Sequence, residues 1–391
     1  MPDNVTVGVM ASGKASRVAG LIAFLGLCVG VHAAETDQAV RDLCGKSVAM
    51  LGESPLHGFG KALEFKVELV QRLVNECHFN AFFIESGAYD FLNLQRRLKS
   101  GHEVTEPMLA AAIGGLWATR EVQPLIPFLL EKAKSGSVVL GGLDDQLGRG
   151  TWAQREMPAD LAGHLAGGEK SRCLAILQRH LLWQYGSDSP YGAQDKALIL
   201  ECLDRVDGSE YDAAMVDNMK RLLARDFRAD AGAGADSRVR DGNDRDRSMY
   251  SNFRWLMARL PAQSKVIVWA ATTHAAKELS GVSGAEGAVS FGSYVRREFG
   301  NRAFALGFSA YSGSYAMTGQ PVRQLSAAPA DSMEARTVAG GESYVSLSEL
   351  RKMGAIAGRA LGAGFKRARW DEVVDGMVVF REERPPEFVR R

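Results

Sequence analysis

Short apolar runs alternate with segments of helical periodicity along most of the 391 residues. Between the first two runs, apolar side chains recur every three or four positions, as at Leu63, Val67 and Val70. Strands that alternate with helices in this way form a parallel sheet covered on both faces. The sequence therefore predicts an α/β fold with a mostly parallel sheet flanked by helices. The predicted strands cover residues 47–51, 80–84, 137–140, 265–269, 303–309 and 377–380.

The strand pattern is interrupted between about residues 152 and 260. Leucines recur there at helical spacing, as at Leu174, Leu177 and Leu181. We therefore expect a helical insertion, or cap, within about 152–260. One stretch inside it, 229–243, is rich in Gly, Ala, Asp and Arg, a composition that is typical of an exposed loop.

The N-terminus has the pattern of a secretory signal. Lys14 and Arg17 precede an apolar run over 21–31, and short side chains follow that run. We predict a signal peptide over residues 1–33, a mature α/β domain over residues 34–391, and export to the periplasm or beyond the cell. An uncleaved membrane anchor is the alternative, although the run is shorter than the roughly 20 apolar residues that a spanning helix needs.

Charge and cysteine content bear on the partners and on the compartment. The formal net charge is +1, without a clustered basic excess. We therefore expect no nucleic-acid partner and no stable membrane insertion after processing. Oxidising compartments permit disulfides, and the sequence leaves buried free thiols and one or two bridges equally open. The cysteines in question are Cys44, Cys77, Cys173 and Cys202.

Charged or titratable residues follow four of the apolar runs, at the point where each strand ends. They are Glu53 with His57, then Glu85, Asp144 and His274. In open parallel sheets, ligands bind beyond the carboxyl ends of the strands. We therefore expect these residues to converge on one site. The alternative is that each of them caps a helix or meets solvent.

The segment 52–58 contains the sharpest catalytic signal, because a carboxylate and an imidazole lie four residues apart in it. Glu53 can orient His57 and stabilise its protonated form, as a general base requires. Gly58 would let the backbone turn tightly beside the site. Glu85 ends a buried strand, where an unpaired carboxylate would be costly. We therefore expect a cationic or histidine partner for Glu85.

Three further side chains are candidates for the same site. Arg245 lies on a predicted helix and has the chemistry to stabilise a developing oxyanion. Trp117 and Glu121 are four residues apart, so we expect them to share a helical face. A solvated helical face for Arg245 and a core position for Trp117 are the alternatives.

Motifs for the common nucleophiles and cofactors are missing. The sequence has no Gly-x-Ser-x-Gly elbow, no Walker A loop, no dinucleotide fingerprint and no His-Glu-x-x-His zinc helix. We therefore expect neither a serine nucleophile nor a cofactor. By ligand type alone, a scattered metal site built from His57, Glu53, Glu85 and His274 stays open.

The ordered set of motifs resembles the erythromycin esterase family. The family's Gly-Glu-x-x-His-Gly opening is similar to residues 52–58, and its strand-end Glu is similar to Glu85. Four further segments resemble, in the same order, the family's Trp-x-x-x-Glu, Gly-x-Asp-x-Gln, Arg-Asp-x-x-Met and Trp-x-His-Asn-x-His motifs. These segments are 117–121, 142–146, 245–249 and 269–274.

The resemblance implies a metal-independent carboxylic ester hydrolase that opens a macrocyclic lactone, an activity associated with antibiotic resistance. It implies that His57 is the general base acting on a water molecule, with Glu53 and Glu85 orienting both. Arg245 and His274 would polarise the ester carbonyl. The substrate-binding residues that we expect are Lys66, Trp117, Glu121 and Asp144.

Two positions depart from the family's pattern. The spacing between Glu53 and His57 is one residue longer, and Ala271 stands where the first histidine of the His-x-x-His pair is expected. Loss of one oxyanion donor can cost about 10²–10³ in rate, and Thr272 or Thr273 would be a weaker substitute. The alternative function is therefore a non-catalytic, or metal- or haem-binding, member of the same fold.

Overall fold

The structure is a computed structural model that describes residues 35–225, 235–338 and 341–389. The predicted signal peptide, residues 1–33, lies outside the described residues. Within them, no helix has the length and apolar character that crossing a membrane requires.

A mostly parallel sheet forms the centre of the protein, which confirms the predicted fold class. The strands of the described residues are β1 (Val48–Leu51), β2 (Ala81–Gly87), β3 (Val139–Asp144), β4 (Val266–Trp269), β5 (Ala303–Tyr315), β6 (Arg323–Leu325), β7 (Glu342–Ser346), β8 (Ala355–Gly358), β9 (Lys366–Arg369) and β10 (Gly376–Glu383). The sheet order is β3-β2-β4-β1-β5-β10-β7, and β6 pairs with β5. Pairing is antiparallel only for β10 with β7 and for β5 with β6 in this sheet, while β8 and β9 form a separate hairpin.

Within the described residues, helices pack on both faces of the sheet, and others form an insertion after β3. They are α1 (35–44), α2 (Gly60–Cys77), α3 (Ala88–Lys99), α4 (Glu106–Ile113), α5 (Leu125–Lys134), α6 (Trp152–Arg155), α7 (Met157–Ala162), α8 (Gly167–Leu181), α9 (Ala193–Asp204), α10 (Glu210–Ala224), α11 (Ala235–Met257), α12 (Thr272–Ala275), α13 (Phe291–Phe299), α14 (Met333–Thr337), α15 (Leu347–Met353) and α16 (Trp370–Val373). Helices α1, α2, α4 and α5 bury apolar residues on one face, and α11, α12, α13 and α15 do so on the other.

The central strands are apolar on both faces, because helices pack on each side of them. Leu51 and Phe82 belong to the core on the α2 side, whereas Met50 and Phe83 belong to the core on the α11 side. Full burial of such a side chain contributes roughly 1.5–3 kcal/mol. These cores therefore hold the strands, and the residues that follow them, in fixed positions.

The expected helical insertion is present between β3 and α11. Helices α6 to α10 pack around their own apolar cluster, which includes Met157, Leu177 and Met215. Ser209 begins α10 with a capping box, in which its hydroxyl accepts the N–H of Asp212. The cluster also packs on α3, so the insertion is anchored to the main domain.

The predicted loop over 229–243 is wrong for its second half. Helix α11 begins at Ala235 and continues to Met257, while 229–234 lie outside the described residues. Tertiary contacts stabilise the helix, because the Asn243 side chain donates to the carbonyl of Gly287 at 2.9 Å and accepts the N–H of Val289 at 2.7 Å. Local composition did not reveal these partners.

Two disulfides resolve the alternatives for the cysteines. Cys44 bonds to Cys77 and so joins the end of α1 to the end of α2. Cys173 bonds to Cys202 and joins α8 to α9 inside the cap.

Candidate active site

The carboxyl ends of the parallel strands lie level at one edge of the sheet. Leu51 of β1 is in register with Trp269 of β4, and Trp269 is also in register with Ile84 of β2. Glu85 directly follows Ile84, and Glu53 lies two residues beyond Leu51. Glu85 is itself part of β2, so side chains at and just beyond the strand ends are brought together, as the rule for open sheets predicts.

Glu53 is a buried carboxylate that faces three nitrogen atoms. Its Oε1 atom accepts a hydrogen bond from Trp117 Nε1 at 2.7 Å, and it lies 3.2 Å from His57 Nδ1 and 3.5 Å from Lys66 Nζ. Burial raises the pKa of this carboxyl, but Lys66, His57 and Trp117 outweigh burial and hold the pKa below its ordinary value. Glu53 is therefore an anion at neutral pH and can fix the orientation of the His57 ring.

His57 lies in a tight turn just before α2. Its ring meets the ring of Trp117 edge-on, with centroids 5.1 Å apart. The backbone of His57 itself is left-handed, with φ 49°, so the turn is made there and not at Gly58 as predicted. Gly58 is required for another reason, because a Cβ atom there would lie 2.4 Å from the carbonyl oxygen of Ala316.

Lys66 is fully buried and faces the carboxylate of Glu53. Its Nζ atom lies 4.0 Å from the centroid of the Trp269 ring and has no hydrogen-bond partner among the described residues. Burial lowers the pKa of Lys66 to about 8, although Glu53 and Glu85 oppose that effect. At neutral pH, Lys66 is therefore a cation held by charge and by the face of an indole ring.

Glu85 and Asp144 bind the guanidinium of Arg245. The NH2 atom of Arg245 donates to Glu85 at 2.9 Å and to Asp144 at 2.7 Å, and its Nε atom lies 3.2 Å from each Asp144 oxygen. Burial raises the pKa of Glu85, but His274 and Arg245 lower it well below its ordinary value. Glu85 thus has both an arginine and a histidine partner, as expected for a buried carboxylate.

His274 is surrounded by carboxylates on both ring nitrogens. Its Nδ1 atom lies 2.9 Å and 3.0 Å from the two oxygens of Asp246, and its Nε2 atom lies 3.1 Å from Glu85 Oε1. Burial lowers the pKa of His274, but Glu85 and Asp246 raise it to about 10. These two carboxylates favour the imidazolium form of the ring. The guanidinium of Arg245 also lies 2.9 Å from Nε2, and it can donate a hydrogen bond there only while that nitrogen carries no proton.

Asp246 is a site residue outside the set predicted from the sequence. It also accepts the backbone N–H of Phe291 at 2.5 Å, which ties α11 to α13. Its signal in the sequence was its place beside Arg245 on one helix. That adjacency alone did not show which histidine Asp246 would contact.

The segment after β4 contributes its backbone to the site. Ala271 donates its N–H to Glu85 Oε2 at 2.7 Å, and Thr272 donates its N–H to the carbonyl of Glu53 at 2.7 Å. The Thr272 hydroxyl is buried without a hydrogen-bond partner among the described residues, close to Gly52. The position of Ala271 thus supplies a backbone donor but no side-chain donor.

Trp117 and Glu121 do not share a helical face, contrary to the prediction. Trp117 ends a short 3-10 helix, and the chain then extends so that Thr119 pairs with Phe388 in an isolated β-bridge. Pairing with this distant segment replaces the expected helix. The Glu121 carboxylate accepts hydrogen bonds from Arg384 and from the N–H of Glu387. Glu121 therefore belongs to a different cluster from Glu53 and Glu85.

Protein cations lie against the carboxylates of the site. Lys66 faces Glu53, and Arg245 bridges Glu85 and Asp144. In the part of the chain that the structure describes, no group of three or more His, Cys, Asp or Glu side chains is arranged to hold a metal ion.

The fold and the site together define an α/β protein with a buried, charged site of His, Glu, Asp, Arg and Lys side chains at the carboxyl edge of its sheet. The sequence model of the erythromycin esterase family matches residues 74–382. The chain therefore belongs to the erythromycin esterase family, as its motifs predicted. The matched residues include Glu85, Asp144, Arg245 and His274, whereas His57 lies before them.

Three solved structures share this fold. A histidine-to-asparagine variant of the erythromycin esterase EreC, in its open conformation, aligns with a TM-score of 0.63 and 15% identity over 90% of this chain and 95% of that chain. A succinoglycan biosynthesis protein aligns with a TM-score of 0.66 and 14% identity, over 90% and 92%. A Bacillus cereus protein aligns with a TM-score of 0.64 and 16% identity, over 90% of this chain and 92% of that chain. A search of curated protein sequences finds no significant match.

Proposed function

We propose that the protein is an exported hydrolase that cleaves an ester or macrolactone with a water molecule activated by His57. The observation that carries this proposal is the 3.2 Å contact between His57 Nδ1 and Glu53 Oε1, in a site where Arg245 and His274 supply positive charge. Membership of the erythromycin esterase family suggests a hydrolase.

His57 would act as the general base. The Glu53 carboxylate favours the tautomer of His57 with its proton on Nδ1, which leaves Nε2 to accept a proton from water. The water oxygen attacks the carbonyl carbon as its proton passes to Nε2. When the ester C–O bond breaks, that proton passes to the departing alkoxide. A lactone would thus yield a hydroxy acid.

Arg245 and His274 would stabilise the negative charge that develops on the carbonyl oxygen. Both groups are cations at neutral pH and both are held by carboxylates, Arg245 by Asp144 and His274 by Asp246. Charges that are already in place need no reorganisation when the transition state forms. Lys66 is enclosed, so its charge would hold Glu53 in its anionic form.

We also propose export to the periplasm or beyond the cell. Two disulfides support this proposal together with the signal-like N-terminus, because disulfides persist mainly in oxidising compartments. N-terminal sequencing of protein from the native envelope should begin at or near Ala34. An intact Met1 on soluble protein would contradict export.

The substrate is expected to be a small ester or lactone, and a macrolide substrate would make the protein a determinant of antibiotic resistance. A panel of macrolides, simple lactones and linear esters tests this, with hydrolysis read as a mass gain of one water in a lactone. His57→Gln is the matched inactive control. Absence of any turnover by the parent protein would contradict the proposal.

A non-catalytic or metal- or haem-binding role is the second candidate. The observation that favours it is Ala271, which contributes only its backbone N–H where the family pattern has a histidine. Metal analysis of the purified protein and a haem titration would distinguish this role. Stoichiometric binding without ester turnover would favour it.

A further inference from the structure

The end of the chain runs across the two segments that carry the neighbours of Glu53. From the last residue of β10 onward, residues 383–389 first cross the start of α2, which follows His57 and carries Lys66. They then reach the segment 117–121, whose Trp117 donates to Glu53. We call residues 383–389 the C-terminal clamp. These residues lie beyond 382, where the family match ends.

The clamp caps the first turn of α2. Glu383 accepts the N–H of Lys61 at 2.6 Å and the N–H of Ala62 at 3.3 Å. The carbonyl of Arg384 accepts the N–H of Gly60 at 2.8 Å. The first N–H groups of a helix have no partner within the helix, so the Glu383 oxygens satisfy donors that would otherwise be unpaired.

The clamp also pairs with the segment after Trp117. The N–H of Arg120 donates to the carbonyl of Glu387 at 2.8 Å, and the N–H of Val389 donates to the carbonyl of Ala118 at 2.9 Å. These two bonds flank the β-bridge between 119 and 388. The residues next to Trp117 are thereby held by backbone hydrogen bonds to residues 387–389.

Arg384 joins the two segments through one side chain. Its NH2 atom donates to Glu64 of α2 at 3.1 Å, and its NH1 atom donates to Glu121. Glu121 is largely buried and also accepts the N–H of Glu387 at 3.1 Å. A partly buried pair of this kind is screened less by water than a pair of exposed charges.

We propose that the C-terminal clamp positions Glu53 and His57 for catalysis, with Arg384 as the positioning residue that couples Trp117 to α2. This inference rests on the proposed function, because it concerns the same His–Glu pair. Arg384 touches neither residue of that pair, and it acts through the placement of Trp117 and of the first turn of α2.

The test compares Arg384→Met and the conservative Arg384→Lys with Arg369→Met. Arg369 is a matched control, because it is also a half-exposed arginine with two carboxylate partners, and it lies on β9. The first readout is kcat and KM on the ester identified by the screen. The second is the indole N–H resonance of Trp117, which reports directly on the bond to Glu53 and can be assigned with Trp117→Phe.

Arg384→Met should lower kcat by about 10-fold with little change in KM, within the ~10²-fold that a 1 Å misplacement can cost. It should also shift or broaden the Trp117 indole resonance, and Arg384→Lys should recover part of both effects. Arg369→Met should behave like the parent. An unchanged Trp117 resonance in folded Arg384→Met would overturn the inference, whether or not kcat falls.

The two readouts separate this inference from the proposed function. A parent protein that hydrolyses no member of the panel contradicts the proposed function, and with it the catalytic role of the clamp. The Trp117 resonance then still shows whether Arg384 couples Trp117 to α2. A perturbed resonance together with unchanged kcat in an active parent would overturn the catalytic part of the inference.

Discussion

Replacing Asp246 with asparagine should lower the pKa of His274 while leaving the site assembled. His274 has its pKa raised to about 10 because Glu85 and Asp246 together outweigh burial. One opposite charge at this range shifts a pKa by about 1–3, so the pKa of His274 in Asp246→Asn should fall to about 7–9. Asparagine keeps a side-chain oxygen that can accept the N–H of Phe291, so α11 and α13 should stay joined.

The alkaline limb of the pH–activity profile should therefore shift to lower pH in Asp246→Asn. His274 must carry its proton to stabilise an oxyanion, so Asp246→Asn should resemble the parent at pH 6 and lose activity relative to it at pH 9. Lys66, whose pKa is about 8, titrates in both proteins, so the ratio of variant to parent isolates His274.

An NMR titration of the His274 imidazole measures its pKa directly, and Asp160→Asn, which alters an ion pair of the cap with Arg96, is the control. If His274 in Asp246→Asn still titrated near pH 10, Asp246 would not be a cause of its raised pKa.

Three further perturbations test the site and its supports. His57→Gln should lower kcat by about 10²–10⁴ without altering circular dichroism; near-parental turnover would exclude His57 as the base. Lys66→Met should reduce the free energy of unfolding in urea by roughly 3–5 kcal/mol, because a buried carboxylate loses its cation; Lys66→Arg is the charge-conserving control, and an unchanged midpoint would contradict the reasoning. Burial raises the pKa of Glu383 to about 7, so its contribution to stability is present at low pH and is lost as pH rises from about 4.5 to about 7, by about 3 kcal/mol. Glu383→Gln should remove that loss, and denaturation at pH 4.5 and 7.5 measures it; equal losses in both proteins would argue against it.

The strand ends could be predicted from the sequence because their signal is local. A buried strand needs a continuous apolar run, so the runs before Glu53, Glu85 and His274 marked both the strands and the edge where the next residues meet. No local pattern predicts the order of the strands in the sheet. That order was not needed to group these residues, because the carboxyl ends of parallel strands lie at the same edge in any order.

The contacts that orient the site could not be predicted, because their partners are distant in the chain. Trp117 donates to Glu53 across 64 positions, and Glu383 caps the helix at Lys61 across 322 positions. Nothing in the composition near Trp117 indicates that the chain there extends to pair with the C-terminus. The helix expected over Trp117 and Glu121 was wrong for that reason.

The disulfide between Cys44 and Cys77 has a consequence for the order in which the chain folds. The two cysteines are 33 positions apart and enclose β1, Glu53, His57 and Lys66. Closing a loop of this length lowers the conformational entropy of the unfolded chain, which raises its free energy by about 3–4 kcal/mol. In a chain that emerges N-terminus first, both cysteines are available long before β4 or the cap. The disulfide that encloses the segment around His57 can thus form early, before β4 and the following His274 have joined the sheet.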